Sequence, residues 1–149
     1  MPRFNVRMTA TASATLDVGS VVTAASAVRR FCLYDIVVGI TGAPADNIYE
    51  WQITRKTGLA TAGTAPTITP LDFTDTTAAT VVANQAPTGN GAGSAVCLAM
   101  PLNQRATFRW VAAPGGELIS SIAASNGYAI NTPTMTALAA VGTFHINEY

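Results

Sequence analysis

The sequence predicts an all-β fold, a β-sandwich or jelly roll of about eight to ten strands with long Thr/Pro/Gly-rich loops. Three observations predict it. Apolar and polar residues alternate with period two over several segments, as a strand with one buried face requires. Turn-forming Pro, Gly and Asn interrupt these segments at short intervals. No segment makes a convincing amphipathic helix; Ser, Thr and Gly surround Leu118–Ser125 and Ala137–Val141, the two stretches closest to one.

The first strand runs through Phe4 to Leu16, where Phe4, Val6, Met8, Ala10, Ala12 and Ala14 alternate with polar neighbours. The second, Ala27 to Ile40, sets Cys32, Tyr34, Ile36 and Val38 on one face and Phe31, Leu33 and Val37 on the other, with Asp35 breaking the latter. The third, Asn47 to Thr57, is the clearest two-faced strand: Tyr49, Trp51 and Ile53 oppose Glu50, Gln52, Thr54 and Lys56. Gly58 to Thr80, bounded inside by Pro66 and Pro70, reads as a long loop or an edge strand. Asn84 to Ser94 must turn at Pro87-Thr88-Gly89-Asn90-Gly91. Strands follow at Ala95–Met100, Gln104–Ala112 and Leu118–Ala123, the last two joined by a tight turn at Pro114-Gly115-Gly116. Asn126-Gly127 marks a hairpin-type turn, and Gly127–Ile130 and Thr134–Tyr149 complete the chain.

The 149 residues suit one domain, 1–149. Hydrophobic residues make up 49% and charged residues 11%, well below the roughly 25% charge of a typical soluble domain. Eight basic residues cancel eight acidic ones. So little charge gives little repulsion between copies, which favours a protomer whose surface is hidden in an assembly. Matched and scattered charges also argue against nucleic-acid binding, which needs a basic stripe. Seven of the basic residues are Arg and only Lys56 is Lys, a bias that suits protein interfaces. No apolar run approaches the ~18–20 residues of a membrane span, and the first residues lack a secretory pattern, so cytoplasmic synthesis is expected. Cys32 and Cys97 are expected as buried free thiols, although a disulfide between them remains open.

Catalytic chemistry finds little support, and no enzyme, metal or cofactor is expected. His145 is the one histidine, and a multi-histidine metal site needs more. Asp72 and Asp75 lie close enough to suggest a carboxylate pair, but Asp and Thr in a turn more often bond their own backbone. Gly89-Asn90-Gly91-Ala92-Gly93 lacks the Lys-Ser/Thr of a phosphate loop. The positive signals are aromatic and Arg residues: Trp51 with Arg55, then Arg105, Arg109 and Trp110, and the Arg29–Arg30 pair. Phe108 and Trp110 share one strand face, with Arg105, Thr107 and Arg109 on the other. The tryptophans are either sandwich core or interface hot spots, where Trp and Arg are enriched.

Several segments together carry a family resemblance: the basic first strand Arg3–Thr15, ADNIYEWQITRKT (Ala45–Thr57), APTITPLDFTD (Ala65–Asp75), NQRATFRWVAAPGGEL (Asn103–Leu118) and the Asn-Gly-Tyr turn at 126–128. In these the chain resembles the small decoration, or cement, proteins of tailed-bacteriophage heads. The resemblance implies a structural virion protein on the outer capsid surface that bridges major capsid proteins. It also implies a symmetric homo-oligomer, with a trimer favoured over a dimer because it suits three-fold lattice positions. Residues 1–7 and 145–149 would serve as contact arms. The alternative is a tail, fibre or glycan-binding sandwich module, which would set an exposed Trp or Tyr beside Asn or Asp at one loop end.

Overall fold

Eleven strands account for the regular structure of the computed structural model, which describes residues 1–26 and 29–149. In chain order they are β1 (Arg3–Thr11), β2 (Asp17–Thr23), β3 (Phe31–Ile40), β4 (Ile48–Lys56), β5 (Ile68–Pro70) and β6 (Val81–Gln85). Then come β7 (Ala95–Asn103), β8 (Phe108–Val111), β9 (Leu118–Ile119), β10 (Gly127–Asn131) and β11 (Ala139–Glu148). They form two antiparallel sheets. The first has the order β5-β1-β11-β3-β8, with β9 also paired to β3; the second has the order β6-β2-β10-β4-β7. The protein is therefore all-β and sandwich-like. The count exceeds the expected eight to ten because β5 and β9 are fragments of three and two residues.

The long-range pairing is nested. β1 pairs with β11, β2 with β10, β3 with β8 and β4 with β7, and successive members of this set alternate between the sheets. Period-two patterning decides what fills the space between them. Phe4, Val6 and Met8 of β1 face Phe144 of β11 and Tyr128 and Trp51 of the other sheet in one buried cluster. Phe31 meets Tyr128 edge to face at 6.2 Å, which locks the two sheets together near one end. At Gly127 the neighbouring strand comes so close that a Cβ would collide with the Val21 carbonyl, so only glycine fits there.

Several expectations need correction. β2 was not anticipated, because all seven of its residues are buried and it therefore shows no polar face. The first strand stops at Thr11, not Leu16; the eighth covers only Phe108–Val111 of Gln104–Ala112, and the ninth only Leu118–Ile119 of Leu118–Ala123. Ala27, expected to open the second strand, lies outside the described residues. The Pro114-Gly115-Gly116 turn makes no hairpin: β8 and β9 lie in line along β3, and Gly115 (φ 81°) supplies the left-handed residue of the bend between them. Asn126-Gly127 likewise marks a crossing from the first sheet to the second. Of the terminal segments 1–7 and 145–149, Arg3–Arg7 pairs with Thr143–Asn147 inside the first sheet.

Cys32 and Cys97 are both free. Cys32 is buried as expected, but Cys97 is exposed, because β7 is an edge strand. That edge is blunted. Ile53 pairs with Leu98 and Thr54 with Val96, so Cys97 is the extra residue of a bulge, and Pro101 lies four residues on.

Candidate interaction surfaces

A second bulge sets the geometry of the first sheet's outer face. His145 pairs with Asp35 while Ile146 pairs with Leu33, leaving Tyr34 as the extra residue. The extra residue reverses the alternation, so Phe31 and Leu33 point inward before it and Ile36 and Val38 after it. Asp35 is thereby turned to the outer face, between His145 of β11 and Arg109 of β8. Arg109 donates from Nε to Asp35 Oδ1 at 2.9 Å and from Nη2 to Oδ2 at 2.6 Å, a bidentate clamp, while His145 Nδ1 lies 2.9 Å from Oδ2. The Tyr34 and His145 rings stack at 6.3 Å. The Asp35 side chain is 4% exposed and that of Arg109 63%, so a buried carboxylate holds an outward guanidinium in one orientation.

The hydrogen bonds from Arg109, aided by His145, hold the Asp35 carboxyl below its ordinary value of 3.8 against the opposing effect of burial. A depressed folded-state value means that ionised Asp35 stabilises the fold in full above about pH 4, and that this contribution fades as pH falls through the folded value. Asp35→Asn is accordingly expected to melt below wild type at pH 7, with the gap narrowing once pH falls below about 4. Thermal unfolding at pH 7, 5 and 3 checks this; a gap independent of pH would assign the effect to shape.

The remaining sequence candidates fall in three places. Trp51 is 2% exposed and belongs to the core; Trp110 is half-buried and packs against it. Arg105 is exposed on the loop after β7, at the end of the sandwich where Ile48 pairs with Asn103. Arg29 is half-buried, whereas Arg30 and Arg55 are exposed at the opposite end, where Lys56 pairs with Gly127 and Phe31 with Glu148. The Arg30 guanidinium carbon stands 5.4 Å from the centre of the Tyr149 ring. A cavity of about 270 Å³ bounded by Arg55, Ser120, Ser121 and Tyr128 adjoins one of about 360 Å³ bounded by Arg30, Ile122 and Tyr149, and Ser120 and Ser121 line both. The structure thus brings Arg30 and Arg55 to one groove, and leaves Arg105, Arg109 and both tryptophans elsewhere.

Two features escaped the sequence reading. Lys56 Nζ lies 2.9 Å from Asp17 Oδ2, with side chains 3% and 0% exposed. The contact is an ion pair off the hydrogen-bonding direction, and Oδ1 takes the Asn131 amide at 3.1 Å. Segments 57–64 and 86–93 close over this pair: Asn90 accepts from the Asp17 amide, Thr57 donates to Ala92, and Thr61 pairs with Gly89. The outer face of the second sheet is covered there, while that of the first presents Arg3, Arg7 and Arg109. The other feature is Phe73, fully exposed on the turn after β5. Asp72 and Asp75, expected to bond their own backbone, do so: Asp72 Oδ1 accepts from the Thr74 amide at 2.9 Å and Asp75 Oδ1 from the Thr77 amide at 2.8 Å. A Phe at the middle of the first of two successive Asp-x-Thr turns was the available signal.

No family model matches the chain, and neither does any curated protein or solved structure.

Proposed function

We propose that this protein is a structural virion component that decorates a tailed-phage head, docking on major capsid proteins through the outer face of its first sheet. The observation that carries the reading is that open, regular face. Arg3 and Arg7 project from β1 and Arg109 from β8, the last held rigid by a buried carboxylate, while loops cover the opposite face around Asp17 and Lys56. An arginine fixed before binding loses little entropy on contact, and the guanidinium N–H groups of Arg109 that Asp35 does not use remain for carboxylates on a partner. Repetition over a lattice lets modest individual contacts add by avidity, and preference for the expanded shell stabilises it by mass action.

The sandwich is read as a jelly roll in this proposal. The support is the nested pairing of eight strands, first with last and fourth with fifth, which is that of one long hairpin rolled between two sheets.

The test is co-sedimentation of the purified chain with precursor and expanded heads from the virus that encodes it. Saturable binding to expanded heads and a raised temperature of head disruption are expected. Partition with tails or fibres, or capture by glycans, would transfer the chain to the alternative reading. Arg109→Ala is expected to weaken head binding about tenfold or more and also to lower the melting temperature at pH 7, because it leaves the buried Asp35 carboxylate with His145 alone. Arg7→Ala, at an exposed position of the same face, separates binding from support: head binding that it leaves unchanged would count against docking through this face.

A further inference from the structure

We propose that copies of this chain associate head to tail, the Asp72-Phe73-Asp75 turn of one copy seating in the Arg30–Arg55 groove of the next. This names the contact behind the homo-oligomer in the reading above and involves no capsid surface, so either can fail without the other.

The turn has the properties of an anchor. Phe73 exposes its whole ring to water, and an aromatic side chain presented alone on a rigid support is the residue type that dominates interface energies. Its support is ordered before any partner arrives. Besides the two side-chain-to-backbone bonds, Thr74 Oγ1 donates to Asp72 Oδ1 at 2.7 Å, and the Asp75 amide donates to the Asp72 carbonyl at 3.1 Å. Little conformational entropy remains to be lost on docking.

The groove complements the turn in charge and in surface. Its two adjoining parts are bounded by Arg55 and Arg30, and among the described residues no Asp or Glu side chain lines either part. Ile119 and Ile122, both about half exposed, give its wall an apolar surface for a ring. Two carboxylates flanking an aromatic ring on one copy thus meet two guanidiniums flanking isoleucines on the next, and guanidinium forks suit carboxylates in geometry as well as charge. No second partner chemistry is required.

Placement makes the contact a head-to-tail one. Pro70 pairs with Phe4, so the turn leaves the sandwich at the end that also carries the groove. The turn lies beyond β5, one edge of the first sheet, and the groove lies at the other side, next to β9 and β4. Different patches therefore meet. Such a contact repeats by rotation, forming a ring where the rotation closes.

Native mass by light scattering, over a dilution series of the full chain without capsid, tests the proposal. Wild type is expected to be an oligomer. Phe73→Ser, which removes no internal packing, is expected to raise the dissociation constant about 30-fold or more while matching the wild-type melting temperature at dilutions where both are monomeric. Arg55→Glu is expected to disperse the oligomer in the same way. The decisive step is mixing the two variants. One retains an intact groove and the other an intact turn, so the mixture should form a dimer and nothing larger. A monomeric wild type, an oligomer indifferent to Phe73→Ser, or two variants that stay monomeric when mixed would each overturn the proposal. Should Arg55→Glu misfold, Arg30→Glu takes its place.

Discussion

Asp17→Ala is expected to lower the unfolding free energy by about 3–5 kcal/mol, because it leaves the Lys56 ammonium buried without its counter-charge. The penalty is that of an uncompensated charge and does not measure the pair's own worth. A charge beneath segments 57–64 and 86–93 cannot regain water unless those segments lift off the sheet. Urea unfolding at pH 7 measures the loss. The joint change Asp17→Leu with Lys56→Met separates the two quantities: replacing both ions by apolar groups is often neutral or stabilising. Here the Asn131 amide would lose its acceptor on Asp17, so a residual cost on the order of 1–3 kcal/mol is expected for the double variant. A single variant as stable as wild type would mean that water reaches Lys56.

Trp51→Ala is expected to cost about 3–5 kcal/mol by emptying a buried site on the inner face of β4, beside the edge strand β7. Trp51 pairs with Met100 of β7 and lies in the same cluster as Ile53 and Tyr128. Because β7 is an edge strand with a bulge at Cys97, loss of this packing should loosen β7 first. Hydrogen exchange along Ala95–Asn103 would report that loosening before global unfolding, and an unchanged β7 would show that the strand is held by its ladder alone. A near-neutral Trp51→Ala would be incompatible with a core position.

Both results turn on burial, and burial is where sequence patterning had its clearest success and failure. Alternation in Phe4–Met8 and in Tyr49–Lys56 marked inner and outer faces correctly, since one side of each strand meets the common core. It did not show that Thr54 and Lys56 are covered as well, because the cover comes from segments close in space but distant in the chain. β2 was missed for the same reason: a strand buried on both faces has no alternation to read. At Phe31–Ile40 the expected faces were scrambled by one extra residue, Tyr34, which reverses the phase of everything after it.

The candidate surfaces were legible as residue types and illegible as groupings. Arg30, Arg55 and Arg109 stood out individually, but only strand register brings Arg30 and Arg55 to one groove and sets Arg109 against Asp35. Asp35 read as an interruption in an apolar face, and the bulge makes it the fixed point of the open sheet. Asp72 and Asp75 were correctly expected to bond their own backbone, yet their consequence, a stiff mount for Phe73, was not drawn.

By itself the sequence determined the all-β class, the core faces of β1 and β4, the local turn chemistry of Asp72 and Asp75, and a low charge density. These are properties of residue type and of spacing within a few positions, where sterics, local hydrogen bonding and period-two alternation act directly. Only the tertiary structure decided which strands pair, where bulges shift the phase, which ions are buried and which exposed groups share a surface. Those outcomes depend on contacts between residues far apart in the chain, such as Asp35 with Arg109 and Asp17 with Lys56, and neither residue of such a pair carries a local mark of its partner.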